Sequence, residues 1–97
     1  MADTAENQAV LRVARTTPVS PLAGAIVKNL GSGKQVRLVA IGAGAVNQML
    51  KGVTIARGIS AQNGHDIFFT SGFSDEVINE ETRSALNIYV HRRSLHG

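Results

Sequence analysis

The stretch Val39–Gln48 constrains the fold most, because an apolar strand runs through two glycines directly into a helix. Gly42 and Gly44 permit a turn with positive φ and leave no side chain between the backbone and a bound molecule. The helix that follows directs free backbone N–H groups towards this turn, an environment that suits an anion. Three interpretations remain open: nucleotide binding, contact with a phosphate backbone, or a tight structural turn.

The two glycines match only part of a dinucleotide-binding motif. The pattern is G-x-G-x-x-N, with Asn47 in place of the third glycine. Asp66 follows about twenty residues later, where a ribose-binding acid is found in that motif. However, a chain of 97 residues is too short for a six-stranded dinucleotide fold. Phosphate-backbone contact is therefore the better functional interpretation, with a structural turn as its alternative.

Composition restricts the class of protein. Aromatic residues make up 4% of the chain and Trp is absent, so we expect a core of Ala, Val, Ile and Leu. The absence of cysteine excludes disulfides and thiolate metal sites. No apolar run approaches the roughly 20 residues that a membrane span needs, and the acidic N-terminus lacks the features of a signal peptide. We expect a cytoplasmic protein without membrane contact, metal or cofactor.

Charge is unevenly distributed along the chain. The net charge of +3 is modest and permits a polyanionic partner without requiring one. Apart from Asp3 and Glu6 in the predicted tail, the first sixty residues carry only basic charge, at Arg12, Arg15, Lys28, Lys34, Arg37, Lys51 and Arg57. The acidic residues Asp75, Glu76, Glu80 and Glu81 cluster in one short segment. This acidic segment fits no EF-hand spacing, so we interpret it as a solvated hairpin on a basic body.

Hydrophobic periodicity predicts the element order β-α-β-α-β-β. The strands are expected at 9–15, 34–41, 66–73 and 84–92, and the helices at 20–30 and 45–57. Ser20 is the predicted N-cap of the first helix, Gly58 the predicted end of the second, and 74–82 a linking loop. The result is a two-layer α/β (α+β) sandwich with a mixed four-stranded sheet and two helices. We predict a flexible tail at 1–8, one domain at 9–93, and a C-terminal tail at 94–97.

Several segments resemble the stage V sporulation protein S family, whose members have an Alba-like fold. The resemblance covers residues 9–92 and is carried by Ser20–Ala25, by Ala40–Gln48 continuing to Lys51, and by Ile55–Gly58. Phe73-Ser74-Asp75 and Glu81-Thr82-Arg83 also fit. The resemblance implies an Alba-like domain and a role in sporulation or development.

Alba proteins are dimers that bind DNA and RNA, so the resemblance also implies nucleic-acid binding and a homodimer. Their binding surface uses the loop after the first strand, the loop before the second helix, and the last hairpin. This chain departs from that pattern, with threonines, small residues and acids in place of basic residues. Because lysine and arginine dominate affinity for phosphate, we expect weak binding away from the hairpin. The predicted contacts are Arg15, Thr16, Thr17, Gly42, Gly44, Asn47 and Lys51.

The outward faces of the helices carry little charge for solvent-facing surfaces. We therefore expect a dimer interface that includes Gly24, Ala25, Lys28 and Ile55. The uncovered sheet face is expected to carry alternate residues of the strands, Val39, Ile41 and Tyr89 among them.

No pattern of catalytic residues is present in the chain. The three histidines form no metal-binding or catalytic motif, and no serine lies in a nucleophile elbow. We therefore expect a non-enzymatic regulatory protein that binds nucleic acid. The alternative is a protein-interaction module of the sporulation or cell-division pathway, with an unidentified protein partner and no nucleic acid.

Overall fold

Six elements make up the domain in a computed structural model that describes residues 7–96. Their order confirms the predicted alternation: β1 (Gln8–Val13), α1 (Val19–Gly31), β2 (Gln35–Ala40), α2 (Ala43–Gln62), β3 (His65–Ile78) and β4 (Glu81–Ser94). Residues 1–6 of the predicted N-terminal tail and Gly97 of the predicted C-terminal tail lie outside the described residues.

The four strands form one mixed sheet in the order β1-β2-β4-β3. β1 and β2 pair in parallel, whereas β4 pairs antiparallel with both β2 and β3. The two helices cover one face of the sheet, and the core is the apolar layer between them. It contains mainly aliphatic side chains, as composition predicted: Leu22, Ile26, Val36, Leu38, Met49, Ile67, Ile88 and Val90. The predicted α+β class is confirmed.

Two predicted helix boundaries that rested on single residues, Ser20 and Gly58, are wrong. α1 begins at Val19 after Pro18, and its N-cap makes no side-chain hydrogen bond, so Ser20 is not the cap. Pro18 supplies a fixed φ of −64° there, which suits the residue before a helix. α2 continues through Gly58 to Gln62, because Ala56 and Ser60 on either side of Gly58 are buried against the sheet.

The acidic segment is a strand pair and not the predicted linking loop. β3 and β4 have 14 residues each and meet in a two-residue turn at Asn79 and Glu80. Both turn residues have positive φ, 51° and 64°, as a type I′ turn requires. Along β3, Asp75 lies between Phe73 and Val77 on one face and is exposed, whereas Glu76 on the other face is half-buried.

Candidate nucleic-acid interface

The loop after β1 is fastened to the start of α2. The hydroxyl of Thr17 accepts a hydrogen bond from the backbone N–H of Ala14 at 2.8 Å, and the Thr17 N–H donates to the Ala14 carbonyl at 3.0 Å. The side-chain amide of Gln48, on α2, donates to the Thr17 carbonyl at 2.9 Å. Two of the predicted binding segments, 15–17 and 42–51, are therefore brought together.

Gly44 determines how closely these segments approach. A Cβ atom at position 44 would lie 2.9 Å from the Cβ of Arg15, a distance that real side chains do not tolerate. Gly42 caps α2 with a φ of 90°, and its side-chain-free position leaves the helix N-terminus without a capping hydrogen bond. Each predicted glycine thus has a distinct physical reason: close approach at Gly44 and positive φ at Gly42.

Gly44, Asn47 and Lys51 follow one another along one face of α2. Their spacing of i, i+3 and i+7 matches the helical repeat, and all three are exposed. Arg15 and Thr16 are also exposed, whereas Thr17 is half-buried and its hydroxyl is already bound. The surface is therefore a short track of exposed polar groups, about 10 Å long from Gly44 to Lys51, with Arg15 beside its beginning.

The tip of the β3–β4 hairpin lies over this end of the sheet. A cleft of about 510 Å³ is lined by Arg12 and Arg15, the glycine turn at 42–45, Val39 and Ile78. Ile78 belongs to the hairpin, so the hairpin crosses the open face, the side of the sheet that the helices leave uncovered. This cleft joins the predicted site to the open face.

A polar network holds the hairpin on the open face. Glu76 accepts hydrogen bonds from Arg12 Nη1 and from the Ser74 hydroxyl, each at 3.0 Å, and Arg37 Nη2 lies 4.0 Å away. Arg37 Nε donates to Asn87 Oδ1 at 2.6 Å, and Asn87 Nδ2 donates to the Ser74 hydroxyl at 2.8 Å. The hydrogen bonds from Arg12 and then Ser74 hold the pKa of Glu76 below its ordinary value.

This network was not anticipated from the sequence. Arg37, one of the basic residues of the first sixty, has its side chain bound to Asn87 on the open face. The sequence signal for this network was the alternation of side chains along β2 and β4. It places four residues on one side of the sheet: Arg37, Val39, Asn87 and Tyr89. Val39 and Tyr89 do lie on this face, as predicted.

Asp66 has a structural environment of its own. Its carboxylate accepts hydrogen bonds from Arg57 Nε at 3.0 Å and Arg93 Nη2 at 3.5 Å. The hydrogen bond from Arg57 and the charges of Arg57 and Arg93 lower the pKa of Asp66. The carboxylate at the position of a ribose-binding acid is thus bound by two arginines.

The residues predicted for a dimer interface differ in exposure. Gly24 and Lys28 are exposed on α1, and Ala25 is half-buried, with its carbonyl accepting a hydrogen bond from the Asn29 side chain. Ile55 is 41% exposed and lines an apolar groove with Val19, Leu50, Lys51 and Thr54. The groove lies between the start of α1 and the middle of α2. Of the residues predicted for the dimer interface, Ile55 lies on α2 and the other three lie on α1.

The hairpin exposes large apolar side chains on the helix side of the sheet. Phe73 is 81% exposed and Val77 is 72% exposed, the highest fractions among the large apolar residues described. Both side chains point to the same side of β3, since they are separated by four residues. The hairpin therefore combines negative charge with an apolar strip.

Across residues 7–96, His, Asp and Glu side chains nowhere gather in a group of three suited to a metal ion. Neither α1 nor α2, the helices of the described part of the chain, has the length and apolar character of a membrane span. A family model described as stage V sporulation protein S matches residues 9–93, nearly the whole chain.

Proposed function

Because the chain belongs to the stage V sporulation protein S family, a family of sporulation-related proteins, we propose that it is a non-enzymatic regulator that binds nucleic acid. The proposed interface is the loop after β1 together with the first two turns of α2. Arg15, Thr16, Gly42, Gly44, Asn47 and Lys51 provide its exposed groups, and Thr17 holds the loop in position.

The observation that supports this proposal most is the contact between Arg15 and Gly44. It sets the aliphatic part of the Arg15 side chain, from Cβ to Cδ, next to the N-terminus of a 20-residue helix that lacks a side-chain cap. Backbone N–H groups and hydroxyls position phosphates, while the charges of Arg15 and Lys51 supply the attraction. The residues of the proposed interface, from Arg15 to Lys51, include no carboxylate side chain.

The proposed binding is weak. Arg15 and Lys51 are the two cations of the site, and each neutralised phosphate on duplex DNA contributes about 0.9 to the slope of log K against log salt. We therefore expect a shallow salt dependence with a slope near 2. The acidic hairpin contributes repulsion, so neutral substitutions at Glu80 and Glu81 should strengthen binding.

The test is a charge reversal followed by amide chemical shifts on titration with duplex DNA or duplex RNA at low salt. Arg15→Glu combined with Lys51→Glu should abolish the shifts while the fold is retained. Lys34→Glu combined with Arg92→Glu is the matched control, because it makes the same change of net charge at the other end of the parallel strands. Shifts confined to the hairpin, or equal losses in both variants, would refute the site.

The exposed apolar strip of the hairpin favours a second candidate function, a protein-interaction module without nucleic acid. Phe73 and Val77 are the most exposed large apolar side chains described and lie on the same side of β3, and adjoining exposed apolar side chains mark interaction surfaces. If no nucleic acid shifts any amide at low salt, this second function takes the place of the first.

A further inference from the structure

The half of the open face nearest the start of β3 and the end of β4 carries exposed rings. Phe68 is 43% exposed and Tyr89 is 38% exposed. Phe68 pairs directly with His91 across the β3–β4 ladder, and Thr70 pairs with Tyr89, so these four side chains share the open face. The helices lie on the opposite side of the sheet, and the hairpin network covers only the other half, where Val39 and Asn87 are 3% and 0% exposed.

The rings are arranged as a row of flat groups. The Phe68 and His91 rings are stacked with centroids 5.2 Å apart and 30° between their planes. The Arg93 guanidinium lies 5.3 Å from the centroid of the Phe68 ring, and the hydroxyl of Thr70 lies 3.0 Å from His91 Nε2. Tyr89 comes next along β4, about 7 Å from His91.

We propose that this half of the open face is a second site, which stacks the bases of a single-stranded nucleic acid on Tyr89 and on the row formed by Phe68 and His91. Sheets that present aromatic rings bind single strands in this way, because every base offers a flat face and sequence matters little. A duplex hides the faces of its bases, so the rings select single strands.

The charges on this face suit a polyanion. Arg37 lies cross-strand from Tyr89, and Arg93, whose side chain is 70% exposed, lies at the end of the ring row. Asp66 and Glu76 on this face are each bound to two arginines, and Glu81, the third carboxylate of the face, lies at the hairpin tip, away from the ring row. Unlike the apolar strip of the hairpin, which is flanked by acids, the ring row is flanked by guanidinium groups, and this favours a nucleic acid over a second copy of the chain.

This inference rests on the proposed function in assuming a nucleic-acid partner, but it concerns another surface and another strandedness. Tyr89 provides a direct signal, because the chain has one Tyr and no Trp. Titration with short poly-thymidine or poly-uridine should quench the Tyr89 emission, after correction for absorbance. A duplex of equal length should leave the emission unchanged.

Substitutions identify the surface. Phe68→Leu and Tyr89→Leu should each weaken single-strand binding, measured by anisotropy of a labelled strand, by about tenfold. Tyr89→Phe retains a ring and should retain the affinity. The matched control is Phe73→Leu, which removes an exposed ring from the same strand on the other side of the sheet and should change nothing. Melting temperatures of all variants verify folding.

Each outcome distinguishes this second site from the proposed interface, which is formed by the loop after β1 and the first two turns of α2. Single-strand binding that survives Arg15→Glu with Lys51→Glu and falls with Phe68→Leu supports the inference, even if duplex binding is absent. Binding that is lost in the charge-reversal variant and is unaffected by Phe68→Leu overturns it and leaves the proposed function standing. A loss of dimer mass in Tyr89→Leu without any change in single-strand binding overturns it too, and assigns the face to contact between two copies.

Discussion

Glu76 on β3 accepts a hydrogen bond of 3.0 Å from Arg12 on β1, although β2 and β4 lie between these strands in the sheet. The contact is possible because the hairpin curls over the open face, on the side of the sheet that the helices do not cover. It joins the two edge strands of the sheet and buries Asn87 and Ala85 beneath it. The tip half of the hairpin is therefore packed against the rest of the domain.

Glu76→Gln should lower the melting temperature at neutral pH and reduce the loss of stability in acid. The folded-state pKa of Glu76 is lowered by the Arg12 hydrogen bond, so its contribution is present above the ordinary pKa and disappears as pH falls through the folded value. The relevant window lies below about pH 4. Thermal unfolding from neutral to acid pH measures this, with Asp75→Asn on the other side of β3 as the control. An unchanged acid profile in Glu76→Gln would contradict the assignment.

Gly52→Ala should destabilise the protein by about 1–3 kcal/mol, because the new methyl group overpacks the contact between the helices. It would lie 2.6 Å from Leu22 Cδ2 and 2.9 Å from Leu22 Cγ, and Leu22 is itself buried. Gly58→Ala, in the same helix, meets nothing within 4 Å and should stabilise by about 0.5–1 kcal/mol. Denaturant unfolding measures the free energy of unfolding of both variants. If both substitutions stabilise the protein, helix propensity and not overpacking determines the effect at Gly52.

Gly44→Val should separate the loop after β1 from α2. The branched side chain meets Arg15 where even a single methyl group is too close, so we expect a lower melting temperature and weaker duplex binding. Gly58→Val adds the same side chain on the same helix, outside the proposed interface and where a new Cβ meets nothing within 4 Å, and is the control. If Gly44→Val leaves the melting temperature and the duplex affinity unchanged, the close approach of Gly44 to Arg15 is not needed for the fold or for the proposed site.

Ile55→Glu should weaken self-association if the helix faces form the dimer. Its side chain lies in the apolar groove beside Val19 and Leu50, where a carboxylate would be desolvated by a partner. Light scattering over a range of concentrations gives the mass, and Phe73→Glu on the hairpin is the comparison. A wild-type monomer at high micromolar concentration would refute the dimer, and a mass that falls only in Phe73→Glu would move the interface to the hairpin.

The spacing of apolar residues along the chain predicted the inward face of a helix well, because this face depends on neighbouring residues only. The apolar spacing of α1 predicts an inward face of Leu22, Ala23, Ile26, Val27 and Leu30, of which Val27 is half-buried and the other four are buried. The same approach failed at Gly58, because burial of the neighbouring turns of α2 outweighs a helix-propensity cost of about 1 kcal/mol. Single residues are weak boundary signals when packing on both sides favours continuation.

The candidate site was predictable in part. The strand-glycine-helix segment and the threonines indicated the two loops, and the parallel pairing of β1 and β2 brings them together. The Arg12–Glu76 contact spans 64 positions and depends on how the hairpin curls, which no local pattern encodes. The hairpin length was also hidden, because Asn79-Glu80 lacks the glycine that usually signals a type I′ turn.

The strand order has a consequence for synthesis on the ribosome. β4 is the last of the four strands to emerge, yet it occupies an interior position between β2 and β3. Until it arrives, β2 presents an unpaired edge and the apolar side chains Ile88 and Val90 are missing from the core. The nascent chain therefore cannot complete its sheet in stages, and the fold should form late, in one cooperative step after β4 has left the exit tunnel.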